Sequence, residues 1–236
     1  MRRESLSIAL ALVPSGPFGT AARATWATRM AEEHASARVF EALAAELRRA
    51  GLAADADTCL GFAAEERRHG VLCGAVVEAL GGEAKAGARA RAEVPAHDDV
   101  SVTESLLRSF TSVACLSETI AVALIGAEWT DMPPGPLRDL LTVIFADEVG
   151  HARFGWRLLA ELVPSLDGAA RARLVEYVGV AVAHARAHFA AHIPEVSYPR
   201  AARALGLCDG RAARRLVDET IDQVILPRLA DLGLAA

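Results

Sequence analysis

The chain has 236 residues, 53% of them hydrophobic, enough to bury one good core with a small appendage. Its 30 acidic against 25 basic residues leave a formal charge of -5, the wrong sign for a phosphate backbone, so nucleic acid is not an expected partner. Its four cysteines, Cys59, Cys73, Cys115 and Cys208, form no C-x-x-C pair and lie in apolar contexts, which argues against a zinc ribbon or a disulfide scaffold and fits a reducing cytoplasm.

The first 19 residues, "MRRESLSIALALVPSGPFG", place basic residues before an apolar run from Leu6 to Val13. The run is short for a signal peptide and no small-x-small cleavage site follows it, so residues 1–19 are read as an N-terminal segment of a cytoplasmic protein. Long alanine- and leucine-rich stretches then alternate with glycine and proline, and alternating β-branched runs are scarce, so the expected fold is all-α. Helices are predicted over about Thr20–Arg49, stopping at Gly51, and Ala54–Leu80, stopping at Gly81-Gly82. A polar connection containing Pro95 leads to a third helix over about Val102–Trp129, ended by "MPPGP". Three more are predicted over about Leu137–Leu162, Ala169–His192 and Arg211–Leu232. No segment reaches the ~18 uncharged apolar residues of a membrane span, so no membrane is expected as a partner.

The first four helices have the length and the apolar seams of a four-helix bundle, giving a bundle over residues 20–163 and a helical extension over 164–236 packed on it. Two of the seams carry ionisable groups. In the second helix Phe62, Glu66, His69, Cys73, Val76 and Leu80 alternate steps of four and three, and the fourth helix repeats the device with Leu141, Ile144, Glu148, His151, Gly155, Leu158 and Leu162. The local wording repeats as well, "AEERRHG" against "ADEVGHA". The first helix has the seam Met30, Glu33, Ala37, Phe40, Ala44 and Leu47, and the third has Leu107, Thr111, Ala114, Glu118, Ala121 and Ile125, each with one glutamate. Glu33 precedes Glu66, and Glu118 precedes Glu148, at nearly equal spacing, so all six groups can meet at mid-height of two antiparallel hairpins.

Four carboxylates and two imidazoles in an apolar core are costly unless they are compensated. Two divalent cations supply the compensation, because their charge balances four carboxylates while the imidazoles bind as neutral ligands. One glutamate from each of two helices and Glu-x-x-His from each of the other two is the donor set of di-iron and di-manganese bundles.

These residues resemble the ferritin-like superfamily of dinuclear carboxylate proteins over roughly residues 20–163, with "EEHASARVFEALAAEL" and "EERRHGVLC" carrying the local likeness. The resemblance implies two iron ions, or manganese in one or both places, held by Glu33, Glu66, His69, Glu118, Glu148 and His151. Glu66 with Glu118, or Glu33 with Glu148, could bridge, and the sequence does not say which. The resemblance also implies that the acid before each motif holds the histidine of the opposite motif: Asp147 would hold His69 and Glu65 would hold His151.

What the resemblance implies for function is an oxidase or oxygenase that takes dioxygen, an external electron donor and a small organic substrate. The small residues Thr111, Ala114, Ala121 and Gly155, with Cys115, are candidates to line the substrate space, although small residues also permit close helix packing. Iron oxidation or peroxide removal is the alternative, and a metal-stabilised bundle whose apolar fifth and sixth helices meet a partner, a second copy included, is a third reading. His184, His188 and His192, spaced by four, could form a metal-binding edge, but no carboxylate accompanies them and a polar face is expected.

Overall fold

The computed structural model describes residues 18–85 and 95–234. The N-terminal segment predicted up to residue 19 and the middle of the Pro95 connection fall largely outside the described residues. Among the described residues all regular structure is helical: α1 (Gly19–Arg49), α2 (Ala53–Ala79), α3 (Val102–Asp131), α4 (Pro136–Leu162), α5 (Gly168–His192), and α6, built from Gly210–Thr220, a π-helical turn Ile221–Ile225 and Leu226–Asp231. Short 3-10 turns at Val163–Ser165 and Arg200–Leu205 join the later helices.

The ends follow from local chemistry. Gly51 and Gly81 take left-handed backbone, φ 80° and 75°, which lets Leu52 N donate to Leu47 O and Gly82 N to Val77 O. These bonds satisfy the last carbonyls of α1 and α2. Side chains of Ser101, Asp167 and Asp209 accept from Glu104 N, Ala170 N and Ala212 N, capping α3, α5 and α6.

A three-residue connection makes α1 and α2 an antiparallel hairpin, tied at one end by Arg48 to Asp57 and at the other by Arg23 to the carbonyl of Gly81. α3 and α4 form the second hairpin, with Trp129 Nε1 donating to Thr142 near one end and Trp156 Nε1 to Thr119 farther along. α5 and α6 pack on α3 and on each other.

α3 holds a feature that helical periodicity does not show: residues Thr111–Ser117 form a π-helical turn. The wider turn accommodates an additional residue and rotates the rest of the helix about its axis. Thr111, Ala114 and Glu118 are buried as the spacing predicts, but Ile120 is fully buried where the spacing predicts Ala121, and Ala121 is only partly buried. α3 is also long and apolar enough, by length and composition, to cross a membrane. Half of its most apolar window is buried within the protein.

The apolar core is divided. One cluster contains Phe40, Leu43, Leu47, Ala63, Leu107, Phe110, Phe154 and Leu158; the other contains Trp26, Met30, Cys73, Val76, Ile125, Leu141 and Ile144. Along α1, α2 and α4 the chain passes from one cluster to the other at Glu33, at Glu66 and His69, and at Glu148 and His151. A polar layer therefore crosses the bundle at mid-height.

Candidate metal centre

All six residues of that layer are buried, with Glu33 8%, Glu66 2%, Glu118 7% and Glu148 4% exposed and both histidines 0%. They form two sets of donors, each with its ligand atoms within 4.8 Å of one another: Glu33, Glu66, His69 and Glu148 in one, Glu66, Glu118, Glu148 and His151 in the other. Glu66 and Glu148 belong to both. The carboxylates common to both sets are thus the two from the Glu-x-x-His motifs.

Glu148 is the centre of the arrangement. Its Oε1 lies 3.3 Å from His69 Nδ1 and its Oε2 lies 3.3 Å from His151 Nδ1. His69 Nδ1 is also 3.4 Å from Glu33, and His151 Nδ1 is 3.1 Å from Glu66 Oε1. None of these approaches has hydrogen-bond geometry, so His69 Nδ1, His151 Nδ1 and Glu66 Oε1 are buried with no hydrogen-bond partner among the described residues. Orphaned buried polar atoms of this kind cost about 1–3 kcal/mol each. A divalent cation between them removes that cost, and the donor set, imidazole nitrogen with carboxylate oxygen, suits iron, manganese or zinc.

The other edge of each imidazole is accounted for. His69 Nε2 lies 2.9 Å from Asp147 Oδ2, and His151 Nε2 lies 3.0 Å from Glu65 Oε2. Each acid stands next to one motif and meets the histidine of the other. A carboxylate at Nε2 accepts the ring proton there and leaves the Nδ1 lone pair facing inward. Asp147 also receives Arg68 at 2.6 Å, whereas Glu65 is the more exposed of the two acids.

The electrostatics record how crowded the layer is. Burial, with the neighbouring Glu148 and Glu33 charges, pushes Glu66 up to about 8. Burial likewise raises Glu118, reinforced by Glu148. For the imidazoles burial opposes charge, but the facing carboxylates outweigh it: Glu148 and Glu33 carry His69 up to about 11, and Glu148 and Glu66 carry His151 up to about 10. Glu148, despite its burial, is held low by His151 and His69. Without metal, the layer favours holding protons on Glu66, Glu118, His69 and His151.

Several neighbours of the site have no sequence motif to mark them. Phe40 and Phe62 stand against His151, with ring centroids 5.0 and 4.4 Å away, and wall that side off from water. Both lie in predicted seams, which is the only signal that could have found them. Arg29, one turn before Glu33, bonds Glu128 at 2.5 Å in a largely buried ion pair. His34 turns its ring onto Gly70, where a Cβ would fall 2.5 Å from His34 Cε1, and belongs to neither donor set.

Two of the small residues expected to line substrate space, Gly155 and Ala114, meet in direct contact. A Cβ on Gly155 would fall 2.4 Å from Ala114 Cβ and 2.9 Å from the Ala114 carbonyl carbon, so α3 and α4 touch there. Thr111 is fully buried and its hydroxyl donates to Leu107 O within its own helix. Cys115 is fully buried, with its thiol pushed up by burial. Gly155 and Ala114 close the helix contact, and Ala121 is only partly buried. His184, His188 and His192 stand along an exposed edge of α5 and are outside both donor sets.

No family model, curated protein or solved structure matches the chain.

Proposed function

We propose that this protein is a dinuclear carboxylate protein of the ferritin-like kind that reacts with dioxygen and oxidises a small organic substrate with electrons from a separate donor. Two iron ions would be held by Glu33, Glu66, His69, Glu118, Glu148 and His151, and manganese is accepted by the same donors. The observation that carries the reading is Glu148, which turns one oxygen to each of two inward-facing imidazoles. A donor set with a shared centre and two separate ends suits two ions better than one.

When bound, a reduced metal pair supplies the electrons that dioxygen needs before it can attack a closed-shell organic molecule. The chain's own residues do the rest. Glu66 and Glu148, common to both donor sets, would fix the separation of the ions. Asp147 and Glu65 hold a proton at Nε2 of each imidazole and keep Nδ1 free to bind. Phe40 and Phe62 exclude water on the His151 side. The four carboxylates balance two divalent charges, which lets the layer remain buried.

The direct contact of Gly155 with Ala114 favours a second reading, iron oxidation or peroxide removal, because those activities need no organic pocket beside the ions. Anaerobic reconstitution with ferrous iron, metal analysis and then addition of oxygen separates the two. The expected result is two iron ions per chain and reductant-dependent oxygen uptake that an organic substrate stimulates. Continued oxidation of added ferrous iron with a growing mineral core selects iron handling instead. Loss of fold on metal removal, with no oxygen uptake under any reductant, leaves only a structural role.

A further inference from the structure

A cavity of about 330 Å³ lies away from the small residues, where the segment between α5 and α6 crosses α1 and α3. Its apolar walls include Leu124, Ala127, Ile193, Val196 and Leu216, and Arg29 and Glu128 also line it. We propose that this cavity is a binding site for a neutral, largely apolar small molecule carrying one hydroxyl-like group, which Arg29 and Glu128 meet as adjacent donor and acceptor. The assignment rests on the cavity alone and does not depend on the metal reading.

The roof is built to stay in place. Trp26 Nε1 donates to Leu205 O at 2.9 Å in a buried bond across the fold. Arg214 reaches back to Ile193 O and Glu195 at 2.7 Å each, and Ser197 donates to Asp209. Gly206 turns in the left-handed region at φ 79°. Gly210 passes so close to the segment leaving α5 that a Cβ would fall 1.7 Å from Pro194 O. A crossing segment held by this many specific contacts gives a preformed pocket, the kind that small ligands use.

The charges say what the occupant carries. Arg29 is paired with Glu128, and Arg203 with Asp131 at 3.0 Å. Asp209 is occupied by Ser197 and by the backbone of Ala212 at the start of α6. Both arginines of the lining, Arg29 and Arg203, are already neutralised by a carboxylate, so neither is left for an anionic ligand to pair with, and a carboxylate would have to be desolvated beside Glu128, Asp131 and Asp209. A neutral group that both donates and accepts can add to the Arg29–Glu128 pair without breaking it. The size and the mainly apolar walls suit a compact hydrophobic body.

The test is calorimetric titration of the full-length protein with thymol, a neutral phenol, and with cuminate, a carboxylate of similar bulk. Ala127→Trp on α3 and Ala213→Phe on α6 narrow the cavity from two different helices, and circular dichroism checks that each variant is folded. Thymol should bind one to one, about tenfold or more tighter than cuminate, and each variant should weaken it by at least about tenfold. Failure of thymol to bind the wild type, or unchanged binding in both folded variants, overturns the site. Tighter binding of cuminate overturns the assignment of a neutral ligand.

Discussion

Gly155 rests on Ala114 so closely that a Cβ on the glycine would fall 2.4 Å from the Cβ of the alanine. This contact sets the approach of α3 to α4 one turn beyond His151. Gly155→Ala should therefore strain the helix pair and cost about 1–3 kcal/mol, the usual cost of overpacking a close contact. Urea unfolding of the single variant and of Gly155→Ala with Ala114→Gly measures it. The double variant should recover part of the loss, not all, because the Ala114 backbone carbon also lies 2.9 Å from the added Cβ. An unchanged Gly155→Ala would mean that the helices part easily and that the small residues do not serve packing.

Asp147 and Glu65 make the same bond to opposite histidines, 2.9 and 3.0 Å, yet they are held differently. Arg68 fixes Asp147, whose side chain is 20% exposed, while Glu65 is 32% exposed. Asp147→Asn should keep the fold and weaken metal affinity roughly 10- to 100-fold, because an amide oxygen accepts from Nε2 more weakly than the carboxylate and no longer supplies the negative charge that raises the basicity of the imidazole. Glu65→Gln should have the smaller effect, its longer and more exposed side chain being the looser support. Competition with a chelator of known affinity reads both variants, and equal affinities in both and in the wild type would reduce the two acids to salt-bridge partners.

The two donor sets share Glu66 and Glu148 but not Glu33 or Glu118. Removing a shared ligand and removing an end ligand should thus give different stoichiometries. Glu148→Ala is expected to abolish tight binding of both ions. Glu33→Ala should spare the half built from Glu66, Glu118, Glu148 and His151, leaving about one equivalent bound tightly. Metal analysis after gel filtration counts them. Two tightly bound ions in Glu148→Ala would show that the carboxylate is not shared.

Much of this was legible because helical spacing is a local property. Steps of three and four place Glu33, Glu66, His69, Glu148 and His151 on inward stripes, and Gly51 and Gly81 mark two helix ends through the backbone they permit. What escaped depends on rotation and on distant chain. The π turn Thr111–Ser117 has no sequence period of its own, so Ile120 takes the buried place that spacing assigns to Ala121. Which carboxylates are shared depends on how α2 and α4 are turned about their axes, and spacing within one helix carries no such information. The Arg29–Glu128 pair joins residues 99 apart. The cavity above it exists only once the segment after α5 is laid across α1 and α3.

Protons and metal ions compete for the same atoms, which gives the centre a pH dependence of known sign. In the metal-free protein His69 and His151 are raised from 6.5 to about 11 and about 10, and Glu66 is raised from 4.5 to about 8. A raised folded-state value stabilises the fold below the unfolded value and loses that contribution as pH climbs to the folded one. For Glu66 the loss runs from 4.5 to about 8, and for the imidazoles from 6.5 to about 10 and 11, so all three act in the same direction above neutrality. Glu118, also raised, adds to it. The melting temperature of metal-free protein should accordingly fall between about pH 6 and pH 9. Metal binding must expel these protons, so affinity rises over the same range and the stabilisation by added metal should grow with pH. Thermal scans with and without metal at stepped pH track both trends. Titration in buffers of different ionisation enthalpy should register proton release near neutral pH, drawn from His69, His151, Glu66 and Glu118. Metal binding that releases no protons, with a metal-free protein that gains stability as pH rises, would place the binding atoms elsewhere in the fold.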